Sequence, residues 1–514
     1  MHDRRVLIRY PMSLAAACAV SAAALLSASV PANALVIPVI DVIPNAASAE
    51  TGQNSEPSLA VDPLNPNVMI SGTFTSGTLS GPFWQSTNGG TTWTSFGSLP
   101  SSDKTLAWRQ DGVAALAVTL NVDSFPPLID HLTTFQSGAT NFGAAINTSP
   151  LQSVDQPWIR TGAGGQTYVT SNNFNAANAG GKTATIEVSP NNGVTFNTPV
   201  VLETVSPAGG QDAPSVRSAV NGSTVYAAFT RWGTPSTDPV TGNSTFSGSQ
   251  VVVTKSINSG ATFSAGTTAA TTTGYFSNTN NSNMTLGQER VASDLAIAVD
   301  PNNANHVVVA YGDRTSSTGV QLKVVESTDG GATFSAPKFT TSSAVRSALP
   351  AISILDNGDI GLLYASFDPS TNSLSQHLVT TTDDFATTTD SLLGTETNTF
   401  PTAVFDPYVG DFYDLTSVGD TFYGIFSASN DDNGNALTGA FYPDATFQRD
   451  FTGTQGTASF TLTNGAGGTV PFSIDPFFFS FSPSAPPPPI PEPATLSLLG
   501  TALIGLAALR RRRS

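Results

Sequence analysis

The chain has 514 residues, of which only 11% are charged, with 45 Gly, 35 Pro and a formal net charge of −17. Such a profile suits many short strands and turns, and it excludes long helices, coiled coils and wholesale disorder. The acidic balance argues against nucleic acid or anionic lipid as partners, and a lone cysteine, Cys18, excludes a disulfide framework and a cysteine-based metal site.

In chain order, residues 1–34 read as a secretory signal peptide. Arg4, Arg5 and Arg9 precede an apolar, Ala-rich run over 14–30, and Ala32-Asn33-Ala34 offers cleavage after Ala34 with Ala32 at the other small position. Residues 35–49 read as a linker.

From 50 to 445 the chain repeats. Paired strand signals fall at 56–63 with 68–74, 106–108 with 113–120, 155–159 with 167–170, and 212–216 with 224–229. Three more follow, at 294–301 with 306–311, 349–353 with 360–367, and 410–415 with 421–426. Self-similarity at this period is the mark of a propeller or another repeat array.

Most pairs are followed by a turn of fixed form. Its copies carry Ser86, Asn88, Gly90 and Trp93; Ser189, Asn191, Gly193 and Phe196; Ser256, Asn258, Gly260 and Phe263; and Ser327, Asp329, Gly331 and Phe334. A worn fifth copy runs through Thr381, Asp383 and Thr387. Asp or Asn folds back onto backbone N–H groups, Gly accepts positive φ, and the β-branched Thr restarts a strand. The terminal aromatic returns to an apolar layer.

These turns resemble the Asp-box (BNR) repeats of sialidase-like β-propellers. The resemblance covers roughly 50–445 and implies an all-β fold. Its blades would be four-stranded, seven being favoured over six, with membrane-targeting helices at the termini. It also implies that each box joins the outer two strands of a blade, on the side away from the central pocket.

Residues 446–482 alternate as strands over 457–463 and are aromatic-rich over 472–481, which reads as a C-terminal β extension packed on the last blade. Residues 483–490 form a Pro-rich spacer. Residues 491–514 hold Pro491-Glu492-Pro493, an apolar run and the cluster Arg510, Arg511, Arg512 and Arg513. That segment resembles the PEP-CTERM sorting tail of Gram-negative bacteria. The resemblance implies an exosortase partner, transient residence in the inner membrane with the Arg cluster cytoplasmic, and a body that ends at the cell surface or outside the cell.

The sialidase resemblance also implies an Arg triad for a substrate carboxylate, a Tyr–Glu nucleophile pair and an Asp acid/base. Arg109, Arg160, Arg217, Arg231, Arg290, Arg314 and Arg346 are available. The family's Arg-Ile-Pro motif is missing, and no spacing pairs a Tyr with a Glu, so no catalytic residue is assigned and a structural role for each Arg is favoured. A second pattern is positional. Asp155, Arg160, Asp212, Arg217, Glu289, Arg290, Arg346 and Asp411 stand at or near the starts of inner strands, and in a propeller such positions form a ring. They either bind a ligand at the channel mouth or stabilise their own loops.

His131, His306 and His377 are widely spaced, and no metal site is assigned. Asp431-Asp432-Asn433-Gly434-Asn435 opens like a calcium loop, but its sixth and twelfth positions lack the required Gly and Glu. No cofactor is expected beyond calcium there. The leading expectation is an exosortase-sorted surface or matrix propeller that binds glycan or protein. An exo-sialidase-like glycoside hydrolase is the alternative, and a structural matrix protein without a ligand site the third.

Overall fold

The computed structural model describes residues 36–483, apart from 76–79, 101–102, 122–128, 137–141, 144–145, 148–153, 174–182, 204–215, 240–241, 243, 277–293, 318, 398–408, 433–441 and 458. The signal-peptide positions Ala32 and Ala34 and the whole 491–514 tail lie outside the described residues.

Six antiparallel sheets follow one another along the chain, and a seventh is assembled from both ends of it. Blade I comprises Asn54–Val61, Met69–Thr75, Ser80–Ser86 and Thr94–Pro100. Blade II begins at Lys104–Trp108, blade III at Val154–Thr161, blade IV at Val216–Asn221, blade V at Leu295–Asp300 and blade VI at Arg346–Ile354. The inner strand of blade VII is Asp414–Val418. Each inner strand packs on the next, and that of blade VII packs on that of blade I, so the array closes into a seven-bladed propeller. The sequence reading of seven strand pairs holds, and the six-bladed alternative does not. Blade IV adds a short strand, Thr234–Thr237, beside its long third strand, Ser244–Ser256.

Inner strands of neighbouring blades share no backbone ladder, so hydroxyls link them. Ser58 Oγ donates to Asp414 Oδ2 at 2.8 Å and accepts from Leu106 N at 2.9 Å. Thr105 Oγ1 donates to Pro157 O and accepts from Ile159 N, both at 3.0 Å. Small β-branched or hydroxyl residues at these positions thus satisfy buried polar groups that water cannot reach.

Closure of the ring departs from the expected boundaries. The third strand of blade VII is Ile474–Phe481 and its fourth is Val39–Asp41, with Ala445–Thr446 parallel beyond it. Segments read as a linker and a C-terminal extension therefore supply strands to the last blade. The physical reason is that pairing the two chain ends in one sheet staples the ring shut and leaves neither terminal strand unpaired. The alternation read over 457–463 yields only the short strand Thr461–Leu462, paired with Phe451–Thr452. A buried ion pair, Arg449 with Asp475 at 2.9 Å, pins this junction, and Arg449 also donates to Ser48 O at 2.8 Å.

The five turns share one geometry. In the first, Ser86 Oγ donates to Asn88 Oδ1 at 2.9 Å and accepts from Gly90 N at 2.9 Å, while Thr92 N donates to Asn88 Oδ1 at 3.0 Å. Copies at 189, 256 and 327 repeat these bonds. The worn copy repeats them too, with Thr381 in place of Ser and Phe385 N, at φ 65°, in place of Gly N. In blades I and III to V each turn lies on the preceding blade. A Cβ added to Gly90 would meet the Phe478 ring of blade VII at 2.0 Å, and one added to Gly260 would meet Tyr168 of blade III at 3.0 Å.

Candidate functional site

The inner strands of blades I, III and VI each carry a β-bulge near the start. At each bulge a residue directly before proline takes positive φ: Glu56 at 50°, Gln156 at 56° and Leu349 at 58°. Non-glycine residues rarely adopt this conformation, and a following proline disfavours helical backbone further. The bulges thus store local strain, of order 1–3 kcal/mol each, to aim these side chains.

Gln156 shows what the aiming achieves. Its Nε2 donates to Asp103 Oδ2 at 3.1 Å and to Asp411 Oδ2 at 3.0 Å, joining blades II, III and VII. Arg217 of blade IV donates to Gln156 Oε1 at 3.4 Å. Below this contact Trp158 takes the guanidinium carbons of Arg160 and Arg217 over its ring, at 4.5 and 4.3 Å. Phe412 meets Trp158 edge-on at 5.5 Å. Asp414, fully buried, lies 3.7 Å from Arg160 and accepts from Leu59 N at 3.1 Å. Burial raises its carboxyl above the usual range, against the pull of Arg160. Groups from five blades therefore meet across the channel and plug it. Among the described residues a 10 Å³ void lies beside the plug, lined by Trp158, Arg160, Arg217 and Tyr413 among others.

Beyond the plug lies a 420 Å³ cavity. Its wall is the far half of the inner strands, including Leu59, Leu106, Trp108 and Ile297, but the surface it shows is mainly polar, with Gln110, Arg160, Asp356 and Asp414 among the lining residues. Its rim is made by the first turns of the blades. Those turns also receive the S-x-D/N turns, as in Gly89 N to Asn67 O at 3.0 Å and Gly330 N to Asn305 O at 2.9 Å. Among the described residues, then, the cavity opens on the same face as the S-x-D/N turns, not on the face away from them as the resemblance implied.

The positional ring is partly assembled. Arg160, Arg217 and Asp411 meet in the plug, and Asp155 adjoins it, its Oδ1 accepting from Gln156 N at 2.9 Å. Arg346 starts the inner strand of blade VI, 5.2 Å from the Phe367 ring. Asp212, Glu289 and Arg290 lie outside the described residues. Arg109 pairs with Asp111, Arg231 with Glu203 and Arg314 with Asp238, each away from the plug. Asp431 and Asp432 are buried, and the rest of that acidic turn lies outside the described residues.

Sequence reasoning missed Glu56, Asp103, Lys104 and Gln156. For Glu56 and Gln156 the signal was present: Pro57 and Pro157, like Pro350 in blade VI, stand inside an inner strand and mark a bulge whose preceding side chain is re-aimed, whereas nothing marked Asp103 and Lys104. Lys104 is fully buried, and desolvation lowers its ammonium to about 7 against the fields of Glu56 and Asp103. One further pair escaped notice. Glu396, fully buried, has its carboxyl pushed up to about 8 by burial, and its field raises the Tyr413 phenol beyond what desolvation alone does. Tyr413 Oη donates to Ser427 O at 3.2 Å.

No curated protein sequence matches the chain. Among solved structures it is similar to an ulvan lyase, a polysaccharide lyase bound to a GlcA–Rha3S oligosaccharide, at 10% identity and TM-score 0.45, over 77% of this chain and 96% of that one. It is similar to an α-L-arabinofuranosidase of Fusarium graminearum in complex with arabinobiose, at 9% identity and TM-score 0.39, over 86% and 97%. It is similar to a sialidase of Trypanosoma rangeli at 13% identity and TM-score 0.35, over 55% and 45%. Residues 489–513 match the PEP-CTERM protein-sorting motif, which marks the chain for export and exosortase-mediated sorting to the cell surface or the extracellular space.

Proposed function

We propose that this is a surface or extracellular-matrix propeller that binds an extracellular glycan or protein through its central channel, with Asp-box turns as its blade clamps. The 420 Å³ cavity carries the reading. It has the size of a small-molecule pocket, and its surface is mainly polar, with Gln110, Arg160, Asp356 and Asp414 converging on it, as expected where a sugar hydroxyl or a polar side chain is gripped. Under this reading 1–34 is a cleaved signal peptide, 483–490 a spacer and 491–514 the sorting tail, while the propeller body draws its closing strands from both flanks of 50–445.

The hydrolase alternative needs an Arg triad facing an available Tyr–Glu pair. Tyr413 and Glu396 are both fully buried, and the phenol is committed to a backbone carbonyl. Arg109, Arg231 and Arg314 are committed to carboxylates. These observations favour binding over catalysis. Incubation of the exported protein with a broad glycan panel, read by mass spectrometry for retention and cleavage, tests the choice. Retention without cleavage, weakened by Gln110→Ala and Asp356→Ala, is the expected result. Released monosaccharide that disappears on substitution of Arg160 would overturn it in favour of a hydrolase.

A further inference from the structure

His306 lies on the second strand of blade V, Asn303–Arg314, beside Glu326 on the third, Val320–Ser327. The fifth S/T-x-D turn, in blade VI, brings Asp384 against them at φ 53°. His306 Nε2 is 3.2 Å from Glu326 Oε1 and 4.0 Å from Asp384 Oδ1. The three ligand atoms lie within 4.8 Å of one another. On the other side of the ring, His306 Nδ1 is 3.3 Å from Asp300 Oδ2.

Asp300 is itself fixed, its Oδ1 accepting from Asn302 N at 2.8 Å. The carboxylate at Nδ1 fixes the orientation of the ring and leaves Nε2 facing Glu326. That nitrogen is buried and has no hydrogen-bond partner among the described residues, in a side chain only 8% exposed overall. An imidazole nitrogen and a carboxylate oxygen held 3.2 Å apart need a proton or a metal cation between them. The surrounding charge calls for one. Asp300, Glu326 and Asp384 are three carboxylates, and the facing cation is Lys338, 2.9 Å from the second oxygen of Glu326.

We propose that His306, Glu326 and Asp384 bind a divalent transition-metal ion of the zinc type, joining blades V and VI, with Asp300 orienting the imidazole. Tetrahedral zinc with nitrogen and oxygen ligands sets them about 3.3 Å apart, and the observed 3.2 and 4.0 Å bracket that spacing. A nitrogen donor disfavours calcium and magnesium, which take oxygen ligands. The Asp384 side chain is 51% exposed, so the fourth position faces solvent and takes water or a donor atom from a ligand.

The test uses the exported protein, stripped with chelator, dialysed against zinc, calcium or magnesium, and assayed for bound metal and by calorimetry. One zinc per chain, with no comparable calcium or magnesium uptake, is expected. His306→Gln and Asp384→Asn should each weaken zinc at least tenfold, and Asp300→Asn by about 10–100-fold. Asp384 stands on an exposed turn whose backbone Asn tolerates, so that variant folds, and circular dichroism checks it. Zinc should raise the wild-type Tm by clearly more than that of Asp384→Asn. Wild-type protein without stoichiometric zinc, or zinc uptake equal in all variants, overturns the site. So does NMR showing both ring nitrogens of His306 protonated at pH 8 with zinc present.

Discussion

Trp158 is held on its faces by Arg160 and Arg217 and at its edge by Phe412. Arg217 is buried there and Arg160 partly so, and the indole quadrupole offsets part of their desolvation. Trp158→Ala should cost about 3–5 kcal/mol, read by denaturant unfolding, with the loss concentrated in the cooperative transition. Glu396 makes a second prediction at this scale. Its folded-state value of about 8 lies above the ordinary 4.5, so between those values the folded protein holds a proton that the unfolded chain has released. Stability must therefore fall as pH rises through that window. Glu396→Gln should flatten the dependence there, measured as Tm against pH. Neither residue was legible in the sequence as part of a site. Trp158 sat inside a strand signal, and Glu396 meets Tyr413 only because blades VI and VII face each other.

The S-x-D/N turn is the element most legible in the chain, because all of its bonds are local. Ser, Asp and Thr sit two and four positions apart, and one hydroxyl and one carboxylate oxygen suffice to close it. Asp329 is lowered to about 2 by bonds from Thr333 and Ser327. Any stability it lends is present above the usual carboxyl value and lost as pH falls toward 2. Asp329→Asn should keep the fold and remove that acid sensitivity, since Asn88, Asn191 and Asn258 make the same turn without a titrating group. Gly90→Ala tests the clamp between blades. Its backbone is at φ 81° and the new methyl would strike Phe478, so a loss of about 1–3 kcal/mol is expected, seen as a lower denaturant midpoint. The bulges at Glu56, Gln156 and Leu349 were visible as prolines in strands, but the side chains they re-aim were not. Which residue faces the channel depends on a register shift that alternation alone cannot locate. His306, Glu326 and Asp384 were hidden for a different reason, coming from three elements of two blades with no motif spacing.

At the scale of the molecule the ring is held at the junction in blade VII. Val39–Asp41 pairs with Ile474–Phe481, and the Arg449–Asp475 pair is wholly buried beside it. Arg449→Met leaves Asp475 as an uncompensated buried charge and should cost about 3–5 kcal/mol, read as a fall in Tm and in unfolding cooperativity. The repeat count was readable because every blade restates it; the closure was not, because a three-residue strand carries no pattern of its own. That closure also fixes an order of events in export. The strand at 39–41 is among the first parts of the body to emerge across the inner membrane, and its partner at 474–481 is among the last, a few residues before the sorting motif at 489–513. The early strand must wait with an unpaired edge until nearly the whole chain has crossed. A body released before the ring has shut would be an open propeller with the strands at 39–41 and 474–481 unpaired.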